Sequence, residues 1–326
     1  VGAPWTKGQW VNGIAEWTDE AARTAYLSIV FTWKLDEAWT RACWYRAQGY
    51  HVRAGGPGIF TRKHYLADVA EIAAPGEKIP DALVRHNPMA TKASEGCPVG
   101  CWFCIVPAME GRAFTLLPDF TPRPVLTDNN LSALPADYQR HIVARYLAAD
   151  APLLDANSGF EPKTFDEEVF ERWRPINRGV WRFAYDETPE GADVYRVCQM
   201  LRQRGVSSRN IQVYVLIGNE PIAECMRRIL QVIEWGGEPY VQPVMKLNAL
   251  TKEPWVRHNW TAHGLKKVQR WANRHLWRKT RFEDYDASIK TNTPIRLPSG
   301  AAPEGVSEER ASHARLIAGE GQRDHG

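Results

Sequence analysis

Three of the chain's six cysteines fall within eight residues, in Glu95-Gly-Cys97-Pro-Val-Gly-Cys101-Trp-Phe-Cys104, and this C-x3-C-x2-C spacing constrains the chain more than any other feature. Six cysteines in 326 residues are too few for a disulfide scaffold, so the dense triplet points to a metal. Three thiolates on so short a loop can converge on one point. A cubane iron–sulfur cluster takes four ligands, and three cysteines leave one iron open to a group other than protein. The alternative is structural zinc, which normally takes four protein ligands; the fourth would have to be His86, Cys198 or Cys225. Zinc sites favour pairs of short C-x2-4-C steps, so the spacing favours the cluster.

The pattern around the triplet alternates strand and helix. Thr24 to Phe31 is β-branched and aromatic; Leu35 to Gln48 then places Leu35, Ala38, Trp39, Ala42 and Cys43 at helical spacing, and Tyr50 to Ala54 forms a second strand ahead of Gly55-Gly56-Pro57-Gly58. That glycine turn does not match the dinucleotide fingerprint and reads as a tight turn. Further strands are expected near Ala90 to Ser94, Pro124 to Asp128, Pro152 to Asn157, Gly179 to Tyr185, Ile211 to Ile217 and Pro239 to Val244. Helices are expected over Leu131 to Ala148, Phe165 to Trp173, Ala192 to Arg204 and Pro221 to Trp235. Such repetition argues for a parallel α/β sheet or barrel with functional residues at the C-terminal strand ends. A length of 326 residues suits one large domain with a smaller extension.

At the triplet the sequence resembles the radical S-adenosylmethionine (radical SAM) enzymes, whose C-x3-C-x2-C loop follows the first strand of a partial (β/α)6 barrel. The resemblance covers roughly residues 84 to 285 and includes the aromatic Phe103 just before the third cysteine. It implies that Cys97, Cys101 and Cys104 hold a 4Fe-4S cluster and that the amino and carboxylate groups of SAM chelate the fourth iron. It also implies a reductant such as flavodoxin or ferredoxin, and reductive cleavage of SAM to a 5′-deoxyadenosyl radical that modifies a substrate.

SAM carries an amino-carboxylate, a ribose diol and an adenine, and polar residues at the strand ends are the candidates to hold them. Asp128, Asn129 and Asn130 stand where the family often has a Gly-Gly-Glu motif; Asp-Asn-Asn is equally a turn signal. Asn157 and Ser158 end the next strand, with a plain loop as the alternative. Arg182 suits a carboxylate through its planar fork, against a structural ion pair with Asp186. Gly218 and Glu220, in Leu216-Ile-Gly218-Asn-Glu220, are similar to the family's adenine-packing strand. The same run reads as a helix start with Asn219 as cap and Pro221 at the first position.

The resulting division is an N-terminal α/β extension over 1–85, a barrel with a basic helix over 86–293, and a flexible tail over 294–326. The extension, a small strand-helix-strand unit of reduced Rossmann type, is similar to the cobalamin-binding-like domain of some radical SAM proteins. It lacks a D-x-H-x-x-G segment for cobalt, which favours a reduced relic over cobalamin binding.

Lys252 to Arg281 holds nine Lys or Arg against one acid. If Thr261 caps a helix, Leu265, Val268, Ala272 and Leu276 form its buried stripe, and Lys267, Arg270, Arg274 and Arg278 form a cationic face. That face is able to track nucleic-acid phosphates; the alternative is a solvated helix paired with Glu283, Asp284 and Asp286. A net charge of +3 implies no polyanion partner by itself. No apolar run is long enough to cross a bilayer and no secretory signal opens the chain, so the cytoplasm is the expected compartment.

Overall fold

The computed structural model describes residues 10–74, 77–255 and 257–285; the expected tail over 294–326 and Asp286 lie outside them. The chain is mixed α/β with parallel sheets and, over the described residues, packs as two units, one running to Leu117 and taking in Lys246–Glu253, the other comprising Pro118–Met245 and Pro254–Tyr285. The packing boundary therefore follows residue 117, and the cysteine loop belongs with the first unit.

In the first unit, β1 (Ile14–Asp19) and β2 (Thr24–Ile29) form an antiparallel hairpin in which Trp17 stacks on its cross-strand partner Tyr26 at 5.5 Å. Helix α1 (Leu35–Ala47) crosses over to β3 (His51–Gly55), which lies parallel to β2 as the sequence predicts, and β4 (Glu71–Ile72) extends the sheet. Leu35, Ala38 and Ala42 bury against Leu27, Ile29, Val52 and Ala54. Trp39, expected in that stripe, is instead exposed and donates its indole N–H to Asp68 at 3.1 Å. The glycine turn leads into α2 (Pro57–Phe60). At Gly56 φ is +102°, and a Cβ there would meet the Ile29 carbonyl at 2.5 Å, so the glycine serves a close chain approach.

After α3 (Ala82–His86), the strand expected over Ala90 to Ser94 splits into β5 (Ala90–Thr91) and β6 (Ser94–Glu95). Past the cysteines come α4 (Val106–Met109) and β7 (Thr115–Leu116), which pairs antiparallel with β6.

The second unit alternates β8 (Val125–Leu126), α5 (Ala136–Ala148), β9 (Leu153–Ala156), α6 (Glu167–Trp173), β10 (Asn177–Ala184), α7 (Gly191–Gln203), β11 (Ile211–Ile217), α8 (Ile222–Glu234) and β12 (Glu238–Pro243). These five strands are parallel and stand side by side in chain order, with no switch point. Helix α5 starts five residues later than expected because Pro135 takes the cap position, leaving Leu131 to Leu134 in a turn. Aromatic rings fill the core: Phe165 meets Phe183 at 5.0 Å and Phe160 meets Trp173 at 5.5 Å. Cys198 and Cys225 are fully buried in α7 and α8, and burial pushes the Cys198 thiol up to about 12, so both behave as small core hydrophobes.

Helix α9 (Ala262–Asn273) begins as expected, with Thr261 Oγ1 accepting the Gly264 N–H at 2.8 Å. Leu265, Val268, Trp271 and Ala272 are buried along it. Leu276 is not part of that stripe: His275, at φ +54°, stops the helix and puts Leu276 in a separate 3-10 turn. Among the described residues no helix is long and apolar enough to cross a membrane.

Candidate functional site

The cysteines occupy the loop of the β6–β7 hairpin, whose base is closed by strand pairing and by the Leu117 N–H on the Ala93 carbonyl at 2.8 Å. Gly96 and Gly100 take φ of +84° and +70°, left-handed backbone that glycine adopts without strain, on either side of a bend at Pro98 and Val99. The return arm braces the loop. Glu110 accepts the Gly96 N–H at 3.0 Å and pairs with Lys92 at 2.5 Å, and the Cys97 N–H reaches the Gly111 carbonyl at 3.2 Å.

All three cysteines are half-buried, and Cys104 Sγ accepts the Val106 N–H at 3.5 Å. An amide aimed at sulfur stabilises a thiolate. Soft thiolates on one loop, with backbone N–H support, are the donor set an iron–sulfur cluster requires, and on that chemistry the residues fit the group. Among the described residues, no three His, Cys, Asp or Glu side chains are gathered to hold a metal ion. Ligation itself supplies the free energy that gathers such donors. Phe103 sits in the loop with its ring edge-on to Trp102, 5.4 Å away.

Of the candidate fourth ligands for zinc, His86 is buried with Nε2 on Ser28 Oγ at 3.0 Å, and burial pushes its pKa down. Cys198 and Cys225 are core residues of the second unit.

At the strand ends of the second unit, Asp128 is fully buried and Asn129 half-buried. Asn130 serves the turn reading: its Oδ1 accepts the Ala133 N–H at 3.2 Å. Asn157 and Ser158 are both exposed just past β9.

Arg182 on β10 forms an ion pair, but its partner is Asp155 on β9, at 3.0 Å, rather than Asp186. Register explains the choice. Strands β9 and β10 are adjacent and put Asp155 opposite Val180, close to Arg182, whereas Asp186 lies beyond the end of β10. Arg182 Nη1 also donates to Gln212 at 3.0 Å and to the Tyr214 hydroxyl at 2.6 Å. Asp155 is only 2% exposed, and neither of its oxygens has an aligned donor. Burial pushes its carboxyl up, an effect the Arg182 charge partly offsets.

Asn219 does not cap α8. Pro221 holds that position, and Asn219 donates its amide N–H to the Asp186 carbonyl at 3.0 Å. Gly218, at φ +94°, turns the chain there, and its carbonyl accepts the Arg257 N–H at 2.9 Å. Glu220 faces Arg228 at 2.8 Å, and its carbonyl takes the Trp260 indole N–H at 2.8 Å.

Sequence reasoning missed Asp155, Glu161, Glu190 and Tyr214. Burial pushes the Glu161 and Glu190 carboxyls up, and desolvation, helped by Glu190, lifts Asp186 to about 8. The signal for Asp155 was an acid inside the apolar run Leu153-Leu-Asp-Ala156; Glu161 caps the 3-10 turn Pro162–Thr164 and Glu190 ends the 3-10 turn Thr188–Glu190, elements too short to leave a periodic mark.

The basic helix is not the continuous cationic face expected. Lys267 lies over the Phe282 ring at 4.9 Å, and Arg278, beyond the helix end, pairs with Glu238. Arg270 and Arg274 are exposed. The expected partner Glu283 instead pairs with Arg281 at 3.5 Å. Trp260 and Trp271 are core residues, each bonded through its indole N–H to a backbone carbonyl.

The chain matches no protein-family model and no curated protein.

Proposed function

We propose that the chain is a radical SAM enzyme in which Cys97, Cys101 and Cys104 hold a 4Fe-4S cluster. The observation that carries this reading is the braced hairpin loop with C-x3-C-x2-C spacing and no further cysteine in it. Held by Cys97, Cys101 and Cys104, the cluster would supply one-electron reductive cleavage of SAM, yielding methionine and a 5′-deoxyadenosyl radical for hydrogen abstraction from the substrate.

The chain's own residues hold and shelter these groups. The Val106 N–H and the turns at Gly96 and Gly100 keep the thiolates on one loop. At the strand ends, Asp128 and Asn129 are assigned to the SAM amino group, exposed Asn157 and Ser158 to the ribose hydroxyls, and the Gly218 backbone to adenine. Arg182 is assigned to the SAM carboxylate, with Asp155 orienting its guanidinium. Glu220 is the acid of the same strand end. The second unit is read as the arc of a partial (β/α)6 barrel. Its strands follow chain order, and crossovers of one hand then put every helix on one face.

The test is anaerobic reconstitution with iron and sulfide, then reduction in the presence of SAM. Release of 5′-deoxyadenosine is expected. Replacing any of the three cysteines by Ala should remove the broad visible absorbance of the cluster. Intact SAM after reduction of fully loaded protein, or zinc bound without iron and sulfide, overturns the proposal. Of the three candidate fourth ligands for zinc, His86 is committed to Ser28, and Cys198 and Cys225 lie in the core of the second unit.

A further inference from the structure

The return arm of the cysteine hairpin carries a second device. The Arg112 guanidinium lies against Gly100, the residue immediately before Cys101. A Cβ at Gly100 would collide with Arg112 Nη1 and come within 2.8 Å of Cζ. The two acids that flank the cysteines in the chain are already occupied: Glu110 by Lys92 and the Gly96 N–H, and Glu95 by Lys78 at 2.9 Å. Arg112 is therefore the cation that the return arm presents to the loop.

We infer that Arg112 is an electrostatic positioning residue that favours the reduced state of the group the three thiolates ligate. The inference rests on the proposed cluster. Three thiolates bring three negative charges to such a cluster, and one-electron reduction adds another. A guanidinium one residue from Cys101 lowers the cost of that added charge. Because Arg112 is exposed, the effect is damped by water and shrinks further as salt screens it. Each dithionite gives one electron to each of two clusters and, with two waters, ends as two bisulfites and two protons; at the cluster itself only the electron is taken up and no bond forms or breaks.

The experiment compares wild type, Arg112→Gln and Arg112→Lys, each reconstituted anaerobically and assayed for iron and sulfide. The reduced fraction is read by electron paramagnetic resonance at fixed dithionite poise, without SAM, and expressed per cluster loaded. Arg112→Gln should lower the reduced-to-oxidised ratio by about threefold to tenfold, tenfold corresponding to about 59 mV for one electron. Arg112→Lys should stay near wild type, and the difference between wild type and Arg112→Gln should narrow at high ionic strength. Equal ratios in wild type and Arg112→Gln, or an equal fall in Arg112→Gln and Arg112→Lys, overturns the role of charge. Wild-type protein that takes up no iron and sulfide instead overturns the cluster, and this inference with it.

Discussion

Arg228 allows the sharpest stability test. It lies inside α8, 0% exposed, and its guanidinium ties together two strand ends: Nη1 donates to the Tyr185 carbonyl at 2.6 Å, and Nη2 to the Leu216 carbonyl at 2.8 Å. It also faces Glu220 at 2.8 Å and donates to Cys225 Sγ at 3.5 Å. Arg228→Met keeps the apolar stem and removes the head. Two buried carbonyls then lose their donors, at about 1–3 kcal/mol each. Breaking a buried ion pair costs about 3–5 kcal/mol, and Glu220, with 23% of its side chain exposed, belongs at the low end because water partly solvates it. These terms overlap in one network, so the net loss expected is about 3–5 kcal/mol. With a urea slope of about 2 kcal/mol/M, the midpoint of the transition reporting the second unit falls by about 2 M. Adding Glu220→Gln to Arg228→Met removes the stranded charge and should recover at least about 1 kcal/mol. An Arg228→Met variant within about 1 kcal/mol of wild type, or no recovery in the double variant, would refute the reasoning.

Two further outcomes follow from the same structure. Burial pushes the Asp186 carboxyl up to about 8 in the folded state, while the unfolded chain releases its proton near the ordinary aspartate value of 3.8. The unfolded state therefore binds fewer protons between those values, and stability falls as pH rises through that window, by at most about 1.4 kcal/mol per pH unit from this group. Asp186 is only half-buried as a residue, so a smaller slope is expected; Asp186→Asn should flatten it in urea midpoints taken at pH 5 and pH 7.5, and an unchanged slope would count against the assignment. At Gly96, φ of +84° and the Ala113 carbonyl both exclude a side chain, so Gly96→Ala should distort the cysteine loop at a cost of about 1–3 kcal/mol. Iron bound per chain after reconstitution should drop, and full iron content in the variant would contradict a shaping role for this turn.

Much of the element order was legible because it rests on local periodicity. Strand β11 falls on Ile211–Ile217 as read from its β-branched run, and α7, α8 and the Thr261 cap lie within a residue of their expected places. What failed locally had local competitors. Pro135 delayed α5, His275 cut Leu276 from α9, and Asn219 turned its amide to a neighbouring strand end rather than to its own helix. Strand β1 and the β6–β7 pairing went unseen because two-residue and edge strands leave almost no periodic trace.

The sequence by itself determined the donor chemistry: three thiols at fixed spacing, the strand and helix alternation, and which cysteines stay out of the motif. Covalent spacing and side-chain type are written in the chain, and short-range periodicity follows from them. Only the tertiary structure decided the pairings. Arg182 meets Asp155 because strand register, not sequence distance, sets which side chains share a sheet face. Arg228 meets two strand-end carbonyls because α8 packs across them, and Arg112 lies on Gly100 because the return arm of the hairpin folds back over the loop. Such contacts join residues 12 to 43 positions apart, and no local signal encodes a partner that folding alone brings within reach.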